Sequence, residues 1–392
     1  MTPYINFVYF SILLLYIVLP TLLLSPFRKL SRLWLVAATA LMLTIQYSGV
    51  HKLLESVEIV EVYLVAGFAL LEWGLAACFL AVRRRGQNRW VFYLALLLGL
   101  APLLASRIIS ISQPEFPLVF AGLSYVTFRS LDVIFGIQDG LIQALPPLQY
   151  LAFLLFFPTI SSGPIDRYQR FAEDWRRNRS WGEFLSDLDG AVHRVFTGLL
   201  YKFILAALIK RYWLDPAARG ADFLHLASYM YAYTFYLFFD FAGYSAFAVG
   251  FSYLLGIHTP ENFDRPFIAR DIRDFWNRWH ISLSSWFRDH VYNRFVFAAL
   301  KGHWFRNRYS AAYLGYMLTM GLMGIWHGTA LNYLVYGLYH GLLLSATDWL
   351  NRRYKDNRLL NDNGFWWRAG SIALTFHLVA FGLLIFSGRL FI

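Results

Sequence analysis

Cysteine is nearly missing from this sequence. Its single residue, Cys78, excludes an internal disulfide and supplies no metal-binding pattern. Set in an apolar run, it is expected to pack in a core. Charge is also scarce: 15% of the 392 residues are charged, against about 25% in a soluble protein. No tract rich in Gly, Ser or Pro marks a linker, and no low-complexity segment or internal repeat stands out. There is no HExxH, no Gly-x-Ser-x-Gly elbow and no Walker loop, so zinc hydrolysis, serine-hydrolase chemistry and nucleotide use have no support.

Apolar and aromatic residues take up the difference, at 58% and 19% of the chain. They form long blocks at 5–25, 33–47, 59–82, 91–105, 146–160, 195–209, 223–255, 311–326, 331–344 and 371–386. A helix needs roughly 20 residues to cross the hydrocarbon layer, which gives about ten or eleven spans or deep re-entrant segments. Block 223–255 is long enough for two passes or one broken one. The first block lacks the basic leader and small-residue cleavage site of a removed signal and reads as a retained span. The fold expected is all-α and polytopic, with one membrane domain over 1–392.

The net charge of +11 reports topology, not nucleic acid. Arg28, Lys29 and Arg32 follow the first span, and Arg83, Arg84, Arg85 and Arg89 follow the third. The loop between, with His51, Lys52, Glu55 and Glu58, lacks that excess. Basic loops stay on the cytoplasmic side, so the N-terminus is predicted outside, in a plasma membrane.

Polar interruptions are few: 166–189, 210–222, 261–308 and 351–368. The third contains FWNRWHISLSSWFRDHVYNRF, residues 275–295, with no Gly or Pro. Taken as one helix, it puts Trp276, Trp279, His280, Leu283 and Phe287 on one side and Asp274, Arg278, Ser285, Arg288 and Asp289 on the other. This predicts an amphipathic helix at the membrane surface. His280 is the polar exception on the apolar side. It is either a hydrogen-bonded structural histidine or a functional one. His327 lies in MGLMGIWHGTALNYL among Gly321, Gly324 and Gly328, which allow either close helix approach or a cavity. His340 falls on roughly the opposite face of a continuous helix from His327. Glu72 and Asp240 sit in apolar runs, where a charge costs at least roughly 2.5–3.5 kcal/mol unless relieved. Pairing is expected for both, with Arg265 or Lys202 as the partner of Asp240.

Six stretches together resemble the membrane-bound O-acyltransferase superfamily. They are GLSYVTFRSLD (122–132), FFPTISSGPIDRYQRF (156–171), FFDFAGYSAFAVG (238–250), GIHTPENFDRPF (256–267), DFWNRWHISLSSWFRD (274–289) and WHGTALNYLVYGLYHG (326–341). They follow the family's order and cover most of the chain after residue 120. The resemblance implies a ring of about eleven spans or re-entrant helices around a thin central funnel, with interfacial helices. It implies that His327 is catalytic and His280 its polar partner. The AGYSAFA stretch points to the D-alanylating branch of the family, since alginate-type members tend to carry an acid after that serine.

What that branch implies is D-alanine carried as a thioester on the phosphopantetheine arm of an acidic cytosolic carrier protein. The acceptor is a hydroxyl, finally on teichoic acid outside the membrane, with extracytoplasmic partner proteins and membrane lipids around it. No resident cofactor and no metal are implied. Within 261–308, the run VYNRFVFAALKGHWFRNRY has the makeup of a docking surface. Val296, Phe297 and Phe305 are candidate anchors; Arg294, Lys301, Arg306 and Arg308 are candidate steering charges. An ordinary interfacial helix with snorkelling arginines is the plain alternative. Competing functions are a polysaccharide O-acetyltransferase of the same superfamily, a cell-wall precursor transporter, for which an inverted repeat is lacking, and a structural scaffold.

Overall fold

In the hydrocarbon layer a chain must satisfy its own backbone N–H and C=O groups, and the apolar blocks accordingly form helices. The computed structural model describes residues 3–24, 31–48, 60–112, 120, 122–353 and 364–391. Among them the only strand-like pairing is an isolated antiparallel bridge between Phe263 and Trp279. Six helices among the described residues are long and apolar enough to cross a membrane: Phe7–Leu24, Val62–Arg85, Arg89–Ile109, Trp181–Ala217, Phe223–Leu254 and Phe365–Phe386. The ten or eleven expected included deep re-entrant segments, and four more apolar helices stand beside these six. Arg32–Tyr47 and Pro147–Thr159 are apolar but short. Arg308–His327 and Leu331–Arg353 are 20 and 23 residues long, but polar residues such as Asn332, His340 and Asp348 dilute the second. Phe223–Leu254 is neither two passes nor a broken one. It is a continuous 32-residue helix, about 48 Å long at 1.5 Å per residue.

The chain divides into two compact units, Met1–Thr197 with Tyr244–Pro260 and Gly198–Gly243 with Glu261–Ile392. In the first, three of the motif stretches turn out to be fastened by buried polar groups. Arg129, fully buried, donates to the carbonyls of Phe153 and Leu154 at 3.3 and 3.2 Å and of Thr159 at 2.7 Å. It thereby satisfies orphan acceptors at the end of the Pro147–Leu154 helix. Asp132 accepts from Arg167 at 2.7 Å. Glu72 accepts from the Ser130 hydroxyl at 2.5 Å, which also meets Tyr150 at 3.0 Å. Among the described residues no ion pair is seen at Glu72, whose carboxylate is met by a hydroxyl in place of the expected partner charge.

His258 joins two further segments. Its Nδ1 lies 3.3 Å from Asp174 and its Nε2 2.8 Å from Asp187. Arg170 binds Asp166, Asp174 and the His258 carbonyl, and Arg179 reaches Asp187 at 3.1 Å. Three carboxylates thus face three cationic groups. Asp174 first, and Asp187 second, hold the His258 pKa up to about 9. Cys78 departs from expectation: it is exposed on the outer face of its helix, not in a core.

The second unit is built on a hairpin of the Arg308–His327 and Leu331–Arg353 helices. Gly324 and Gly337 let their backbones touch. A Cβ at Gly324 would stand 2.3 Å from the Tyr333 carbonyl oxygen, and one at Gly337 2.2 Å from that of Met320. Asp240 pairs with Lys202; Arg265 instead meets Asp264 at 3.1 Å. Arg28, Lys29 and the residues 51–58 used for topology lie outside the described residues.

Two outcomes follow from this packing. A folded-state pKa raised above the unfolded value of about 6.5 means that His258 stabilises fully below that pH and loses its effect as pH rises through about 9. Melting temperature in detergent is expected to fall across that window in the native chain, and His258→Gln is expected to lower it at pH 6.5 and flatten the slope. Gly337→Ala is expected to cost about 1–3 kcal/mol by forcing the hairpin apart, seen as a lower melting temperature and folded yield.

Candidate functional site

The segment 275–295 is not one helix. A short helix, Ile272–Trp276, is capped at its start by Asp271, whose side chain accepts from the Asp274 N–H at 2.8 Å. The chain then turns through Asn277 to His280 and helix resumes at Ile281–Phe287. His280 sits in the break with φ 44° and ψ 51°, the left-handed region, which costs a non-glycine residue roughly 1–2 kcal/mol. The neighbours impose it. The N–H of Asp264 donates to the Arg278 carbonyl and that of Ile281 to the Asn262 carbonyl, both at 3.0 Å. Asn262 Oδ1 also accepts from the Ser282 hydroxyl at 2.6 Å. The His280 carbonyl accepts the Ser284 N–H at 2.9 Å and so starts the next helix.

The two-sided pattern read from the sequence survives the break, but its setting does not. Trp276, Trp279, His280, Leu283 and Phe287 are all buried, and they face protein instead of headgroups. Trp279 lies 5.1 Å from Phe263 and 5.5 Å from Phe275, ring to ring. His280, 4% exposed, meets the Phe241 ring edge-on at 4.7 Å. Its Nε2 has no hydrogen-bond partner among the described residues. Burial, and then the neighbouring His327, push its pKa down to about 3. It is a neutral imidazole at any physiological pH.

His327 ends the Arg308–His327 helix, where Gly328 turns extended. It is half-buried. Its ring meets Trp326 at 4.6 Å and Phe386 at 4.9 Å, with Tyr333 and Tyr336 each at 6.3 Å. Trp326 lies 6.4 Å from the His280 ring. The two histidines, 47 positions apart in the sequence, are therefore brought into one neighbourhood. The glycines beside His327 serve close helix approach at Gly324; room for a ligand lies elsewhere. A cavity of about 320 Å³ is lined by Arg273, Trp276, Ser284, Arg288, Tyr316 and Met323 among others, and neither histidine lines it. Ser284 is one turn from His280, and Met323 one turn from His327.

The geometry can now be set beside known proteins. The family model described as membrane-bound O-acyltransferase matches residues 88–386. The chain belongs to the membrane-bound O-acyltransferase family. It is 41% identical to the teichoic acid D-alanyltransferase of Bacillus subtilis (strain 168), over 100% of this chain and 99% of that protein. It is 43% identical to the teichoic acid D-alanyltransferase of Lacticaseibacillus rhamnosus, over 76% of this chain and 77% of the relative. A probable alginate O-acetylase, AlgI of Pseudomonas syringae pv. tomato, is 32% identical over 68% of this chain and 49% of its own length.

In this O-acyltransferase, the sequence reasoning missed His340. The premise of a continuous helix from His327 fails, because the chain breaks at Gly328. His340 is fully buried, and its Nδ1 lies 3.3 Å from the Trp276 Nε1, which donates to it. Its ring is 4.7 Å from Tyr336. It therefore orients a wall of the cavity. The one available signal was a histidine in an apolar run.

The docking candidates separate. After a π-helical turn at Arg288–Tyr292 comes the helix Asn293–Lys301. Phe297 is 69% exposed, and Leu300 and Trp304, both unnoticed in the sequence, are exposed beside it. Val296 is half-buried, its methyl 3.0 Å from where a Cβ on Gly315 would stand. Phe305 and Arg294 are half-buried; Lys301, Arg306 and Arg308 are exposed. Arg308 lies over the Tyr309 ring at 5.0 Å. Val296 is thus a packing residue, and the outward apolar face is Phe297, Leu300 and Trp304.

Removing the Asn262 side chain tests the brace on His280. Asn262→Ala is expected to destabilise the fold by about 1–3 kcal/mol through loss of the buried hydrogen bond that Asn262 Oδ1 accepts from the Ser282 hydroxyl, measured by thermal unfolding in detergent. An unchanged melting temperature would mean that the backbone pairs alone hold the turn.

Proposed function

We propose that this chain is a D-alanyl transferase. It takes D-alanine from a thioester on the phosphopantetheine arm of a cytosolic carrier protein and passes it across the membrane to a hydroxyl, for teichoic-acid D-alanylation. The observation that carries this reading is the 41% identity, end to end, to a teichoic acid D-alanyltransferase. The alginate O-acetylase reading rests on a lower identity, 32%, over half of that relative's length. A transporter reading does not account for a half-buried histidine beside a neutral, buried one.

His327 is the general base. Its imidazole nitrogen takes the acceptor's hydroxyl proton as the oxygen attacks the thioester carbonyl. The tetrahedral centre collapses, the C–S bond breaks, and the thiolate leaves; the imidazolium returns a proton to it. A thiol with a pKa of about 8.5 is a good leaving group, so this step needs no ATP. A positioned base typically contributes about 10²–10⁴-fold, and alignment contributes more. His280, held neutral, offers its Nε2 to the acyl group as a hydrogen-bond partner. An acyl-histidine intermediate is less economical than this direct transfer. The cavity of about 320 Å³ is the arm's route to the pair, with Arg273 and Arg288 at hand for its phosphate. No resident cofactor takes part.

The acidic carrier meets the Asn293–Lys301 helix and the turn after it. Phe297, Leu300 and Trp304 are its anchors, and Lys301, Arg306 and Arg308 its steering charges. The protein resides in the cell membrane with its N-terminus outside, and the basic Arg83–Arg85 at the end of a span face the cytosol. Extracytoplasmic partners and the polymer meet it on the other face.

His327→Ala is expected to abolish incorporation of labelled D-alanine while membrane insertion stays normal; retained incorporation would remove the base assignment. Phe297→Asp is expected to weaken carrier affinity about tenfold or more without lowering the melting temperature. Val296→Asp, by contrast, is expected to lower the melting temperature. Equal carrier affinity in native protein and Phe297→Asp would remove the docking surface.

A further inference from the structure

A D-alanyl group differs from a simple acyl group in its ammonium. We infer that the half-buried aromatic rings around His327, those of Trp326, Tyr333 and Phe386 with Tyr336 behind them, hold that ammonium and select an amino-acyl donor over an uncharged one. The inference rests on the D-alanyl reading above.

The argument is one of reach. A general base lies within about 3 Å of the hydroxyl it serves. That hydroxyl lies within about 3.5 Å of the carbonyl carbon at attack. The ammonium nitrogen is two bonds further, about 2.5 Å from that carbon. These reaches place the cation within about 9 Å of the His327 nitrogen. Four aromatic rings lie well inside that reach, with centroids 4.6, 4.9, 6.3 and 6.3 Å from the imidazole. They form one cluster, since Phe386 lies 5.1 Å from both Tyr333 and Tyr336. Tyr336 is 3% exposed, whereas Trp326, Tyr333 and Phe386 keep part of their surface open. A cation within about 6 Å of a ring face is attracted to it.

The usual counter-ion for an ammonium is a carboxylate, and four acids of this unit are engaged elsewhere. Asp240 pairs with Lys202, Asp264 and Asp274 with Arg278, and Asp348 with Arg273 and Arg352. The groups acting on His280 are burial and His327, with no carboxylate among them. Ring faces suit the task better than an acid would. A carboxylate beside His327 would hold it protonated and deprive it of its role as base. An aromatic wall binds the cation without adding a negative charge beside the imidazole.

The test uses full-length protein in proteoliposomes with the carrier and an acceptor. The carrier is charged with D-alanyl or with D-lactyl, which replaces the ammonium by a hydroxyl at nearly the same size. The native protein is expected to prefer D-alanyl roughly tenfold in kcat/KM, the ratio a desolvated cation–π contact supports. Phe386→Leu and Tyr333→Leu are expected to bring that ratio toward one. Trp326→Phe and Phe386→Tyr, which keep a ring face, are expected to retain it. The ratio is internal to each variant, so a general loss of folded protein cancels. Equal use of both donors by native protein, or an unchanged ratio in the leucine variants, would overturn the inference. Transfer of neither donor by native protein would instead overturn the D-alanyl reading itself.

Discussion

The left-handed backbone at His280 is the constraint on which the site depends. With φ 44° it cannot continue the helix that began at Ile272. The chain therefore turns, pairs briefly with 262–264, and restarts. That turn buries the imidazole against Phe241 and within reach of the field of His327. Strain of this kind persists only where surrounding contacts over-determine it. Here the backbone bonds to Asn262 and Asp264 do so. His327 is placed by a different device: the Arg308–His327 helix stops at Gly328, and close contact at Gly324 and Gly337 locks it to the returning helix. Both histidines stand at helix ends, where a side chain can face a cavity without breaking a hydrogen-bond ladder.

The rest of their own unit supports these two placements. In the unit that carries them, Asp348 ties Arg273 and Arg352 together at 2.8 and 2.6 Å, and His340 steadies Trp276. These contacts shape the cavity wall. In the other unit, Arg129, Asp132, Arg170 and His258 fasten motif segments to one another.

Much of this was legible in the sequence. The apolar blocks implied membrane helices, the pairing of Asp240 with Lys202 followed from the cost of a buried charge, and the two histidines stood out in their motifs. What could not be read was tertiary in origin. Nothing in residues 275–295 breaks a helix locally, so the turn at His280, imposed from residues 262–264, was invisible. The same holds for the break after His327, which hid His340 behind a false helical phase. Val296 looked like an anchor because only the facing helix, at Gly315, shows that it packs inward. Cys78 looked buried because periodicity in a wholly apolar helix does not distinguish lipid from protein. The ten or eleven spans counted on hydropathy included segments too short or too polar to qualify by themselves.

The account's central claim is that His280 and His327 act on one bound acyl group. Its most direct measurement is the position of a stable thioether analogue of D-alanyl-pantetheine in an experimental map of the full chain. The account predicts the arm in the cavity beside Trp276 and Met323, with the acyl carbon within hydrogen-bonding reach, about 3–4 Å, of atoms bonded to or facing both imidazoles. An acyl carbon lodged away from either ring, or two rings in sealed pockets that no common channel joins, would contradict it.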